Sequence, residues 1–412
     1  MNKNKLTILI GAGAVIDASS ELGEKITTEK ITTDTLNNEY KYNDKKVLKL
    51  LNKINNDLLK HTNERYNYTP NFEDLFHSLE ILKSLLLNED VAPEFKPFAK
   101  IFTNLNGTYK KLQNNEGRIL VSKSISHIIN IIQKNIETYS NKEPVDWYKS
   151  FFKDLSKQYN LNIFTLNYDT WFDIIFPIHN DGFTNINASS DYLYFNPKKL
   201  LKSKHNVTIN YLHGQLNLAF MPVNEAKKEF GITDFNTICK IKDPKKTKRQ
   251  LLFNGGTRLT TTQSGETYTF STIITGKMKT EKVSIQPFDM YRTNLSNSLV
   301  NNPNLLIIGY GFEDLYINNI LSQFHKLHGT NKKVIIIDYS NKDDWNNNYR
   351  FNVHINKFHT IWQLLGDNKF GNIIRSRYKD FYTLDNRHGK WYLTGFKDTA
   401  MANLIDIINF YN

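Results

Sequence analysis

Five short apolar runs most constrain what this chain can fold into: Lys5–Ile10, Leu161–Leu166, Val207–Leu212, Leu305–Ile308 and Val334–Ile337. Each is too short for a stable helix and is dominated by Ile, Leu and Val, as in a buried strand. Strands of this kind are covered on both faces, which favours a parallel sheet over a half-solvated antiparallel one. Helical spacing follows several of them, with one helix starting near Asp169 and another spanning Asp314–Leu327. The alternation reads as an α/β fold: a Rossmann-like parallel sheet with helices on both faces.

The stretch between the first two runs is different. Residues 45–145 carry three stripes at spacings of three and four: Val47, Leu48, Leu50, Leu51 and Ile54; Phe72, Leu75, Phe76, Leu79 and Leu82; Val121, Ile125, Ile128, Ile129, Ile132 and Ile136. These predict helices, with Asn71 or the residue before it placed to cap the second, forming an insertion on one side of the sheet. Residues 17–41 read as a loop with short helical pieces. Residues 216–282 are rich in Thr and Gly and read as hairpins and loops. The main domain then spans 1–340, and 341–412 form a small C-terminal extension. Its aromatics, Trp362, Phe370, Tyr378, Phe381, Tyr382, Trp391 and Tyr392, read as core packing, with an appended module or partner surface as the alternative.

Composition narrows the function classes. At 412 residues and 40% hydrophobic, the chain can bury a substantial core. Its net charge of +12 admits an anionic nucleotide, a nucleic acid or an acidic partner. No named nucleic-acid motif accompanies that charge, and the run KDPKKTKR at 242–249 reads as a solvated loop. A single cysteine, Cys239, excludes an internal disulfide and a multi-cysteine zinc site, and fits a reducing, cytoplasmic setting. No apolar run has the length of a membrane span. Lys3 and Lys5 before Leu6–Ile16 imitate a signal peptide, but Gly11 and Gly13 within that run have a better explanation.

That explanation is ILIGAGA, residues 8–14: a strand entering a Gly-x-Gly turn and then a helix, the arrangement that brings backbone N–H groups to a diphosphate. The third glycine of the dinucleotide fingerprint is replaced by Ile16. FTLNYD, residues 164–169, places Asn167 and Asp169 at the end of the second run. Asn167 could hold a ribose hydroxyl or a water; Asp169 could orient it or cap the next helix. YLHG, residues 211–214, places His213 at the end of the third, where an imidazole can serve as general base. LLIIGYGFED, residues 305–314, repeats the strand and Gly-x-Gly pattern, so that Gly309, Gly311 and Phe312 could receive the rest of a dinucleotide. Asp338 ends the last run and could contact a ribose or merely terminate the strand.

In order along the chain, GAGA, NYD, LHG and GYG resemble the sirtuin superfamily, over about residues 5–30 and 160–340. The resemblance implies NAD as substrate, cofactor-binding residues Gly11, Ala12, Gly13, Ala14, Asp17, Gly309, Gly311, Phe312 and Asp338, and a site built on Asn167, Asp169 and His213 with no metal. Two features depart from the protein-deacylating sirtuins. Their four-cysteine zinc ribbon is impossible with Cys239 alone, and their Gly-x-Pro-Asp-Phe-Arg segment is replaced by SSELGEKITTEKIT. In this the chain looks more like the prokaryotic sirtuin-like domains of anti-phage defence, which degrade NAD. Some of those work with a HerA-like ATPase or an Argonaute-like protein. The resemblance therefore implies an NAD+ glycohydrolase releasing nicotinamide and ADP-ribose. Such an activity is toxic when unregulated, hence the expectation of a homo-oligomer or partner assembly. A deacylase or ADP-ribosyltransferase, and a non-catalytic nucleotide sensor or scaffold, are the alternatives.

Overall fold

The computed structural model describes residues 3–24, 26–37, 44–62, 69–87, 112, 115–185, 190–202, 205–220, 238–243, 251–253, 270–276, 279–339, 360–361, 364–365, 381–383 and 389–412. Most of the basic run at 242–249, and Trp362, Phe370 and Tyr378, lie outside these residues.

All five apolar runs are strands of one seven-stranded sheet. They are β1 (Lys5–Ile10), β2 (Asn160–Thr165), β5 (Val207–Tyr211), β10 (Asn304–Ile308) and β11 (Lys333–Ile337). β13 (Gly389–Tyr392) extends the sheet in parallel beyond β11, and β12 (Phe381–Thr383) closes that edge antiparallel. The spatial order is β12-β13-β11-β10-β1-β2-β5. Numbering only the parallel strands in chain order gives 3-2-1-4-5-6 from the β5 edge, the order of a doubly wound dinucleotide-binding fold. The strand order reverses between β1 and β10, which pair in register from Thr7–Leu305 to Ile10–Ile308.

The buried strands explain the helices around them. Leu6, Ile8, Leu9 and Ile10 have no exposed surface, so both sheet faces must be covered. α1 (Gly13–Glu21), α6 (Asp146–Gln158) and α12 (Phe396–Tyr411) pack together, while α10 (Phe288–Asn301) pairs with α11 (Leu315–His328). The core beside α6 is aromatic: Phe396 packs edge-on to Trp147, Tyr148 and Phe151, with centroids 4.9–5.6 Å apart. The described part of 341–412 therefore continues the main sheet and core. Trp391 and Tyr392 are buried in it, as core packing requires.

The insertion is helical as its stripes demand, and it begins earlier than residue 45. α2 (Thr28–Asn37) packs with α3 (Lys45–Thr62), α4 (Phe72–Leu87) and α5 (Asn115–Ser140). Of the helical pieces expected within 17–41, α2 is the longer, and Ile31 and Thr35, one turn apart in it, are both buried against these neighbours. Asn71 caps α4: its Oδ1 accepts from Glu73 N at 2.8 Å, and Asp74 Oδ2 accepts in return from Asn71 N at 2.9 Å.

The stretch from residue 176 to the start of α10 forms smaller elements. β3 (Phe183–Thr184), β4 (Tyr192–Phe195), β6 (Leu218–Phe220) and β7 (Ile238–Ile241) make a four-stranded antiparallel sheet; β8 (Leu252–Phe253) and β9 (Phe270–Ser271) pair separately. α7 (Trp171–Ile175), α8 (Pro197–Leu201) and α9 (Lys279–Lys282) are single short turns between strands. Among the described residues, no helix is long and apolar enough to cross a membrane.

Candidate active site

The turns after β1 and β10 touch at the point where strand order reverses. Gly11 N donates to Ile308 O and Gly13 N to Gly309 O, both at 2.9 Å. A Cβ on Gly11 would lie 2.5 Å from Gly309 O, and one on Gly309 only 2.2 Å from Ala14 N. Gly309 also has φ of +59°, a region costly to other residues. Gly11, Gly13 and Gly309 are therefore required for the two backbones to meet. At Gly311, by contrast, a Cβ would meet only Glu313 Cγ at 3.9 Å. Ala12 is exposed and opens α1 without a side-chain cap, and Ala14 is buried just behind it.

Asn167 reaches this junction from the end of β2. Its Nδ2 donates to Gly11 O at 3.1 Å, and its own N–H is held by Thr165 Oγ1 at 3.0 Å. His213 approaches from the end of β5. Its Nε2 lies 3.1 Å from Asp314 Oδ2, and both side chains are largely buried. Asp314 has a second task. Its Oδ1 accepts from Tyr316 N and Ile317 N at 3.0 and 3.2 Å, capping α11. One carboxylate thus fixes the helix start with one oxygen and the histidine with the other.

These contacts join the four motif turns in a continuous line, from Asn167 to Gly11, across to Gly309, and through the 309–314 loop to Asp314 and His213. The loop itself is braced. Asn318 Nδ2 donates to Phe312 O at 2.7 Å, and Tyr310 donates to Asn318 Oδ1 at 2.9 Å. Phe312 is buried with φ of +58°, a strained conformation for an aromatic residue that such bracing sustains.

Electrostatics set the roles of the pair. Burial and the nearby Lys279 lower the pKa of His213 below its ordinary value, against the opposing pull of Asp314. Burial would raise the pKa of Asp314, but its bond and charge interaction with His213 hold it well below the carboxylate range. At neutral pH this gives a neutral imidazole beside an ionised carboxylate. The tautomer follows from chemistry: Nε2–H donates to Asp314, leaving the Nδ1 lone pair to accept a proton.

The other candidates occupy different surroundings. Asp169 is buried; its Oδ1 accepts from Trp171 N at 3.1 Å and its Oδ2 from Tyr139 Oη at 3.5 Å. Burial raises its pKa to about 6. Its bonds serve the start of α7 and the inserted helix α5, rather than Asn167 or His213. Asp17 and Asp338 converge on the turn before α12. Asp17 Oδ2 lies 3.6 Å from the position a Gly395 Cβ would take, and Asp338 O accepts from Gly395 N at 3.0 Å.

Sequence reading missed a buried charge cluster beneath β5. Asp173 Oδ1 lies 2.8 Å from Lys240 Nζ and accepts from Tyr211 Oη at 2.9 Å; Asp181 Oδ2 is 2.7 Å from the same ammonium. His179 Nε2 sits 3.3 and 3.4 Å from these carboxylate oxygens without hydrogen-bond geometry, while its Nδ1 lies 2.6 Å from Phe176 O. Burial opposes the charged imidazole, but the two carboxylates prevail and raise its pKa to about 9. Ligand atoms of Asp173, His179 and Asp181 lie within 4.8 Å of one another, a spacing compatible with a metal ion. Lys240 supplies positive charge to the same two oxygens, giving two anions and two cations. Cys239, next to it, is buried and donates from Sγ to Ala219 O at 3.2 Å.

Compared with known families, residues 161–358 match the SIR2-like domain. No curated protein matches the chain. The matched span contains Asn167, His213 and the 309–314 loop; the turn at Gly11 precedes it and joins it in space.

Proposed function

We propose that this chain, which carries a sirtuin-like domain, is an NAD+ glycohydrolase that cleaves the bond between nicotinamide and ribose. The observation carrying the reading is the His213–Asp314 pair, with Nε2 and Oδ2 3.1 Å apart, joined to Asn167 through the glycine turns where the strand order reverses. That switch point is where doubly wound sheets take dinucleotides. The residues fit such a substrate. Gly311 and Ala12 leave room at the ends of β10 and β1, and the positive end of the α1 dipole lies beside Ala12.

The chemistry follows from the pair. As the C1′–N1 bond breaks, its electrons pass to the nicotinium ring, which leaves as neutral nicotinamide. The ribose develops oxocarbenium character, as in glycoside hydrolysis. A water attacks C1′ and loses its proton to His213 Nδ1, and Asp314 stabilises the imidazolium that forms. By the resemblance, Asn167 would hold the water or a ribose hydroxyl.

Sequence supports hydrolysis over acyl transfer. A single cysteine excludes the zinc ribbon associated with the deacylases. By the same resemblance, the reaction would deplete NAD in anti-phage defence, under the control of a partner such as a HerA-like ATPase or of self-assembly. Purified protein given NAD, alone or with an assembly partner, should release nicotinamide and ADP-ribose in equal amounts. Strict dependence on an acylated peptide would instead support the deacylase alternative.

A further inference from the structure

Residues 270–276 and α9 lie between His213 and the inserted helices. On one side this segment holds the histidine's backbone. Ile274 N donates to His213 O at 2.7 Å, Gly214 pairs with Ile273, and Tyr168 Oη donates to Ile274 O at 3.0 Å. The fit is close: a Cβ on Gly214, where φ is +94°, would lie 1.8 Å from Thr272 O.

On the other side the segment is bound to α4. Lys279 Nζ pairs with Glu73 Oε1 at 3.2 Å, and Thr275 Oγ1 donates to the same oxygen at 3.4 Å. Lys282 pairs with Glu80 at 2.7 Å and also donates to Thr275 O. Glu73 is fixed in turn, because its N–H is held by the Asn71 cap. The charged groups acting on His213 are thus Asp314 from the β10 loop, Lys279 from α9 and Glu73 from α4. Lys282 and Glu80 form the adjoining pair, and Lys279 also acts on Asp314.

We propose that Glu73, supplied by the helical insertion, is a positioning residue for the site: paired with Lys279, it offsets the positive charge that the α9 segment brings to the His213–Asp314 pair. The proposal rests on His213 being the base. It gives the insertion a role at the site, since a shift of α4 relative to the segment would change the basicity of His213.

The test is a titration of the His213 imidazole by NMR in full-length protein, assigned against His213→Ala, together with the pH dependence of NAD cleavage. Glu73→Gln removes an anion that favours imidazolium, so the His213 midpoint and the acid limb of the profile should move to lower pH. Lys279→Met removes a cation that disfavours imidazolium, so both should move to higher pH. The double variant should lie close to wild type. Lys279→Gln provides the same charge change if the methionine variant does not fold. Unmoved midpoints, or shifts in the same direction, would overturn the proposal. If wild-type protein cleaves no NAD, the glycohydrolase reading fails, and the imidazole titration still decides this one.

Discussion

Asp314→Asn separates the two tasks of one carboxylate. Asparagine caps helices about as well as aspartate, so the bonds from Tyr316 N and Ile317 N can persist through Oδ1. What changes is the side facing His213 Nε2, 3.1 Å away. An amide there offers an N–H in place of a carboxylate oxygen. It favours the tautomer with the proton on Nδ1, removing the lone pair that takes the proton from water. It also removes a charge-assisted hydrogen bond worth roughly 1.5–3 kcal/mol when the imidazolium forms. At about 1.4 kcal/mol per decade, that loss alone slows cleavage about 10- to 10²-fold, and the wrong tautomer adds to it. Thermal stability should fall, because the ionised Asp314 held by His213 contributes stability that an amide lacks, and Asp314→Ala should lose about 1 kcal/mol more with the cap. Nicotinamide release and thermal melts on the same preparations provide the comparison. An Asn variant that melts like wild type and cleaves NAD at the wild-type rate would refute the orienting role.

Buried charge elsewhere in the fold gives three more outcomes to check. Asp169→Asn can keep the bond from Trp171 N, and it removes a carboxyl whose pKa rises from 3.8 to about 6 in the fold. Ionised burial of that kind costs about 3 kcal/mol at neutral pH. The cost is absent below the unfolded pKa, grows as pH rises from there and is fully present above the folded one. Melts should therefore show the variant gaining on wild type between about pH 4 and 7; a less stable variant at neutral pH would contradict this. Lys240→Met leaves Asp173 and Asp181 with only His179 as counter-charge, and should cost about 3–5 kcal/mol in chemical denaturation; an unchanged midpoint would show the cluster contributes no net stability. His179 contributes stability below its unfolded pKa near 6.5 that is lost as pH rises through about 9. His179→Gln should thus flatten that alkaline decline, and a decline of wild-type size would contradict it.

The strands were legible because burial on both faces leaves an unbroken apolar run, as at Ile8, Leu9 and Ile10 or Leu305–Ile308. The helical stripes at Val47, Phe72 and Val121 were legible for the same reason at another period. The motif turns carried their own signals, since Gly, Asn and His at strand ends are residue types a bland turn does not require. Their pairing in space was less legible. Gly11 reads as room for a ligand, but its nearest demand is Gly309, far along the chain. Asp314 reads from sequence as the start of a helix, while its tie to His213 depends on how the β5 and β10 ends meet. Asp173, His179, Asp181 and Lys240 have no regular spacing, because separate elements bring them together. The strands β12 and β13 were hidden in a polar, aromatic stretch whose pairing partner, β11, is what defines them.

If His213, oriented by Asp314, is the base of an NAD-cleaving site, its removal must stop the reaction without unfolding the chain. The most direct measurement is nicotinamide release from NAD by full-length wild type and by folded His213→Ala, each alone and with a candidate assembly partner. Cleavage by wild type, lost in His213→Ala at matched thermal stability, is the expected result. Undiminished cleavage by the folded variant would contradict it.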